Sequence, residues 1–196
     1  MTTTKTIYLA GPEVFLPDAM AVIMQKAAIC VEYGFAASLP SDTHLQARTA
    51  IPMTLSSLEI YKANVELMHA SDFGVFDLTP FRGPSADVGT AFELGLMTGL
   101  GKPVFGYTNV TGAYLDRIYL KQVVGEAGPG ATWRDDHDWR IENFGNADNL
   151  MLDGALENGG AAMVRNDAPL PERLHAMEGF RACLQQAQHY FAGTAT

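Results

Sequence analysis

Apolar positions along the chain alternate between short solid runs and stretches recurring at three and four. Thr4 to Leu9 is a β-branched run closed by Gly11-Pro12, which predicts a buried strand. Asp18 to Glu32 carries Met20, Ile23, Met24, Ala27, Ala28 and Val31 at helical spacing, and Gly34 follows as a stop. Phe35 to Leu39 predicts a second strand, ended by Pro40. Thr54 to His69 predicts a second helix with Leu55, Leu58, Tyr61, Val65 and Met68 on its apolar side. Asp72 to Phe76 is a third strand, Thr79 to Pro84 a loop, and Gly89 or Thr90 to Leu100 a third helix closed by Gly101. Val104 to Tyr107 is a fourth strand. From Asn109 to Asn146 the pattern is weaker, and a last helix runs from about Pro171 to Phe191.

Such alternation predicts a single α/β domain over 1–196. Its form is three-layered, flavodoxin-like or Rossmann-like, around a mainly parallel sheet of about five strands. In sheets of this kind ligands bind beyond the carboxyl ends of the strands. The turns after Leu9, Leu39, Phe76 and Tyr107 therefore share the functional rim.

Composition narrows the partners. The net charge of −9 repels phosphate backbones and anionic membranes, and a hydrophobic fraction of 47% supports a folded core. Cys30 and Cys183 have neither disulfide-frame nor zinc spacing, and read as reduced thiols of a cytoplasmic protein. The run Ile7 to Ala10 is too short for a signal peptide or a membrane span.

The rim carries the candidate chemistry. Gly11 lets a ligand approach the backbone of the first turn, although a plain strand–helix turn explains it as well; the turn is neither a dinucleotide nor a Walker loop. His44 reads as a loop histidine. Four acids, Asp72, Asp77, Asp87 and Glu93, crowd the segment 71–95. Asp87 can serve as a helix N-terminal charge. Glu93 sits among Phe92, Leu94, Leu96 and Met97, at the edge of an apolar face, where a carboxylate is costly unless partnered or used. Spacing alone leaves open whether it works or is a surface glutamate. Paired carboxylates facing one cleft suit glycosyl chemistry, in which one attacks an anomeric carbon. Asp135-Asp136-His137-Asp138 has a metal-like composition but reads as a solvated loop; Trp133 and Trp139 nearby could stack on a ligand or fill a gap.

Four segments together, Tyr8-Leu9-Ala10-Gly11-Pro12, Asp77 to Gly83, Asp87 to Gly95 and Asn149-Leu150-Met151, resemble nucleoside 2-deoxyribosyltransferases, in particular the branch of some protozoa and bacteria that uses purines and pyrimidines. The resemblance runs from Tyr8 to Met151 and implies transfer of 2-deoxyribose between bases through a covalent glycosyl ester, with slow hydrolysis beside it. It implies Glu93 as the nucleophile, Tyr8 as the residue orienting it, and Asp72 as the acid linked to the base and its proton. Asp87 would hold the sugar hydroxyls, and Asp77, Gly11 and Phe15 would bind substrate. Asn149 and Met151 would reach the site of a neighbouring subunit, implying a homo-oligomer. His44 falls near a base-contacting position. No metal or cofactor is implied. Two alternatives remain at this stage. One is a deoxynucleoside 5′-monophosphate N-glycosidase, which the Asp87 carboxylate disfavours by repelling a phosphate. The other is a non-enzymatic flavodoxin-like nucleotide-binding module.

Overall fold

The computed structural model describes residues 4–39, 55–118, 122–124 and 132–193. Pro40 to His44, and Thr54, where the sequence pattern begins its second helix, lie outside the described residues. The elements in chain order are β1 (Thr6–Ala10), α1 (Ala19–Glu32), β2 (Ala36–Ser38), α2 (Ser57–Ala70), β3 (Phe73–Asp77), α3 (Val88–Gly99), β4 (Val104–Thr108), β5 (Gln122–Val124), β6 (Thr132–Arg134), β7 (Arg140–Ile141), α4 (Leu150–Asn158), β8 (Val164–Arg165) and α5 (Glu178–Gly193).

One sheet has the order β2-β1-β3-β4-β8, and every pairing in it is parallel. Two further features depart from the sequence pattern. The strands β5, β6 and β7 form a small antiparallel sheet within the weakly patterned region. The last helix starts at Glu178, after a short 3-10 turn at Glu172–Leu174.

The two-residue period of β1 sorts its side chains between layers. Ile7 and Leu9 face the layer of α1 and α5, with Phe73, Phe105 and Phe180. Tyr8 and Ala10 face the other layer, with Met68, Leu94, Met97 and Leu156. Tyr8 thereby points to the side where α3 carries Glu93. Cys30 and Cys183 are buried thiols, and burial pushes Cys30 up to about 12.

The buried face of α1 is not the one its hydropathy suggests. Ala19, Val22, Lys26, Ile29 and Cys30 are buried, whereas Met24 and Val31 are exposed. An interior lysine rotates the face, and its partner lies in the first turn. On α2 and α3, Leu58, Tyr61 and Phe92 face outward, and Tyr61 contacts Phe92 across the two helices. The start of α2 is fixed by a capping box, in which Ser56 Oγ accepts from the Glu59 N–H and the Glu59 carboxylate accepts from the Ser56 N–H.

Candidate active site

A hollow of about 350 Å³ opens at the carboxyl ends of β1 and β2. Gly11, Glu13, Val14 and Phe15 of the first turn form one wall, with Ala19, Ile23 and Lys26 of α1. Ser38 and Leu39 end β2 beside it. Ile60, Asn64 and Leu67 present one face of α2, and Asp87, Thr90 and Glu93 come from α3. The position agrees with the crevice expected of an open parallel sheet.

Asp87 caps α3, its carboxylate accepting from the Thr90 N–H at 3.1 Å. From that cap, Thr90, Leu94 and Met97 turn inward, and Glu93 stands one position from Leu94 at the edge that faces the hollow. Tyr8 Oη donates to Glu93 Oε1 at 2.7 Å, and Asn64 Nδ2 donates to the same oxygen at 2.9 Å. Three elements thus fix one carboxylate at the pocket wall.

The loop before Asp87 is braced from below. Asp148 is buried and accepts from the Ala86 N–H at 2.9 Å and from the Ser85 hydroxyl. Arg117 reaches Asp148 at 3.6 Å and donates to the Pro84 carbonyl at 2.7 Å. At the rim Phe15 stacks on Phe81, with centroids 5.0 Å apart, and the Arg82 guanidinium lies over both rings.

Behind Gly11 lies a buried charged set. Lys26 Nζ donates to Glu13 Oε1 at 2.5 Å and stands 3.9 Å from Asp77 Oδ2. Asp77, at the end of β3, accepts from Tyr107 Oη at 3.0 Å and from the Thr79 N–H at 2.9 Å. Burial raises the Asp77 carboxyl above its ordinary 3.8, against the pull of the Lys26 ammonium.

The residues predicted from sequence divide accordingly. Tyr8, Gly11, Phe15, Asp87 and Glu93 line one hollow. Asp77 is buried behind it, next to Gly11, Glu13 and Lys26 of the lining. Asn149 caps α4, with its side chain on the Met151 N–H and on Glu142, and Met151 is exposed; within one chain neither lines the hollow.

Asp72 requires correction. It precedes β3, so it stands at the amino end of the sheet, a strand length of roughly 16 Å from the carboxyl rim. There it accepts from the Thr6 N–H at 2.6 Å and the Thr6 hydroxyl at 2.9 Å, near Lys5. It ties β1 to β3 and does not line the pocket. The Thr6 N–H holds its carboxyl below the ordinary 3.8. Its contribution to stability is therefore complete above that value and is lost as pH falls through the lowered one. Asp72→Asn is expected to keep turnover within about twofold of the parent. Its melting temperature should fall slightly at neutral pH and less in acid, a difference that paired thermal melts read directly.

The Asp135 to Asp138 turn is held by its own backbone, Asp135 Oδ1 accepting from the N–H groups of His137 and Trp139. Trp139 is exposed there and contacts the His137 ring. No cluster of three metal-ligating side chains occurs among the described residues, nor does any helix among them have the length and apolarity to cross a membrane.

Residues 7–151 match the family model for nucleoside 2-deoxyribosyltransferases. The chain belongs to that family. It is 32% identical over 164 residues to an uncharacterized protein of Schizosaccharomyces pombe, covering 79% of this chain and 78% of that one. Its fold is similar to a 2-deoxyribosyltransferase from Leishmania mexicana, with a TM-score of 0.58 and 30% identity over 76% of this chain and 85% of the other. A conserved protein from Enterococcus faecalis V583 shares the fold at a TM-score of 0.50 and 22% identity, over 94% and 99% of the two chains. The α/β domain with its parallel sheet is the fold of these transferases.

Sequence reasoning missed Asn64, Glu13 and Lys26. Asn64 had a usable signal, since Ile60, Asn64 and Leu67 repeat at helical spacing with a polar residue in the middle. Glu13 and Lys26 stand thirteen residues apart on different elements, and nothing local pairs them.

Proposed function

We propose that this chain moves 2-deoxyribose from a 2′-deoxynucleoside to a free purine or pyrimidine base through a glycosyl ester on Glu93. The observation that carries the reading is the pair of donors, Tyr8 Oη and Asn64 Nδ2, on Glu93 Oε1 at the wall of the hollow. They fix the carboxylate in direction, as a nucleophile needs. In the first step a carboxylate oxygen forms a bond to C1′. The bond from C1′ to the base nitrogen breaks, its electron pair leaves with the base, and the base gains a proton. In the second step a nitrogen of the incoming base attacks C1′, the ester C–O bond returns its pair to Glu93, and the incoming base releases a proton. Water in place of that base gives slow hydrolysis.

The transition state is oxocarbenium-like, and a 2-deoxy sugar reaches it more readily than a ribose. Asp87 is at hand for the sugar hydroxyls, and the apolar wall of Val14, Ala19 and Ile23 suits a flat base. We assign Asn149 and Met151 to the pocket of a neighbouring copy in a homo-oligomer, because Met151 is exposed and neither residue lines the hollow of its own chain. The exposed apolar residues Leu58, Tyr61 and Phe92 on α2 and α3 favour association.

A product screen tests this reading. Deoxyadenosine mixed with cytosine should yield deoxycytidine and adenine, with free deoxyribose appearing more slowly. Turnover confined to deoxyadenosine monophosphate, with release of free sugar phosphate only, would contradict it.

A further inference from the structure

Resting on the transferase reading, we propose that Glu13 is a specificity-determining residue of the base subsite, selecting bases that present an amino group over those that present a carbonyl. Glu13 is 2% exposed, and its Oε1 is taken by Lys26 at 2.5 Å. Its Oε2 is buried and accepts from no donor among the described residues. A buried charged acceptor without a donor is rare, because its lost hydration is not returned.

The surrounding sequence keeps that oxygen in place. A Cβ on Gly11 would stand 2.1 Å from Glu13 Oε2 and 2.7 Å from Asp77 Cβ, so any side chain at Gly11 would drive the oxygen away and press on Asp77 as well. Lys26 cannot neutralise it further. The ammonium faces Glu13 Oε1, Asp77 and the rings of Tyr107 and Phe180, all of them interior. Two carboxylates share one ammonium, and the unpaired oxygen of Glu13, itself a lining residue of the hollow, lies buried against Gly11.

Displacement at C1′ places the departing base on the face of the sugar opposite the nucleophile. Glu93 comes from the α2–α3 side of the hollow, whereas Glu13 and Lys26 lie on the α1 side. The base therefore extends toward Glu13, between apolar side chains. An exocyclic amino group, as on adenine or cytosine, donates to Oε2. A carbonyl oxygen in the same position, as on hypoxanthine or uracil, meets a carboxylate with no proton between them. A site with a buried polar group left unpaired by one of two substrates discriminates strongly between them.

Competition experiments read this directly. With one deoxynucleoside donor and equal adenine and hypoxanthine, the product ratio equals the ratio of kcat/KM and does not depend on how much enzyme is active. The wild type is expected to favour adenine over hypoxanthine, and cytosine over uracil, by about ten- to a hundredfold. Glu13→Gln offers either a donor or an acceptor, and its ratio should collapse toward unity. Gly11→Ala displaces the oxygen, and its ratio should fall in the same direction, which keeps the proposal testable where one variant does not fold. A wild type indifferent between the pairs, or favouring the carbonyl bases, overturns the assignment and leaves the transferase reading standing; so does an unchanged ratio in the variants. A wild type that forms no new nucleoside from any base removes the transferase reading and this inference together.

Discussion

Replacing Glu93 by glutamine is expected to lower kcat/KM for base exchange by at least ~10⁴-fold. An amide nitrogen and oxygen cannot form the ester that carries the sugar between bases. The side-chain oxygen of glutamine still accepts from Tyr8 Oη and Asn64 Nδ2, now 2.7 and 2.9 Å from Glu93 Oε1. Fold and substrate binding are therefore expected to survive. The relevant comparison is exchange kinetics beside a thermal melt, and the predicted pattern is lost turnover with a nearly unchanged melting temperature. Tyr8→Phe removes one of the two donors and leaves the nucleophile, so its loss should be smaller and should fall mainly on kcat. Near-normal exchange by Glu93→Gln would show that another group attacks the sugar.

The largest effect on stability is expected at Lys26. Its side chain is 3% exposed, paired with Glu13 at 2.5 Å and close to Asp77 at 3.9 Å. Lys26→Met fills a similar volume and leaves two carboxylates facing each other out of water. Breaking a buried pair in this way costs about 3–5 kcal/mol. For a domain of this size that corresponds to a fall in melting temperature on the order of 10 °C. Restoring the balance should recover much of it, because replacing a whole buried pair by apolar groups is often neutral. The double variant Lys26→Met with Glu13→Leu is therefore expected to melt above the single one. Equal stability of Lys26→Met and the parent would mean that the pair carries none of the fold's stability.

Those two sites also mark what was legible in the sequence. Glu93 stood out as a candidate because its signal is local, while the role of nucleophile came from the family resemblance and not from spacing. A loop acid caps a helix, two glycines thin it, and a glutamate stands at the edge of its apolar face, all within 87–95. The strands β1, β3 and β4 were legible for the same reason, as solid apolar runs that end at turn residues. Lys26 was not legible. Hydropathy places lysine outside, and the helical spacing puts Met24 and Val31 in the core of α1, whereas both are exposed. Only a partner on another element, Glu13, makes a buried lysine stable. The pairing also depends on Gly11, whose missing side chain leaves room for the carboxylate.

Asp72 shows the opposite failure. Its neighbourhood in sequence is rich in candidate acids, yet a strand separates it from Asp77, and in a parallel sheet the two ends of a strand serve different surfaces. β8 escaped notice because two residues, Val164 and Arg165, carry no readable period; pairing with β4 alone defines it. The small sheet of β5, β6 and β7 is likewise set by cross-strand pairing, in a stretch whose composition reads as loop.

Rapid quenching of the enzyme with a 2′-deoxynucleoside, followed by peptide mass analysis, tests the central claim most directly. A 2-deoxyribosyl group is expected on the peptide containing Glu93, located on that side chain and discharged when a second base is added. The same group found on a different residue, or base exchange proceeding with no sugar attached to the protein at any time, would contradict it.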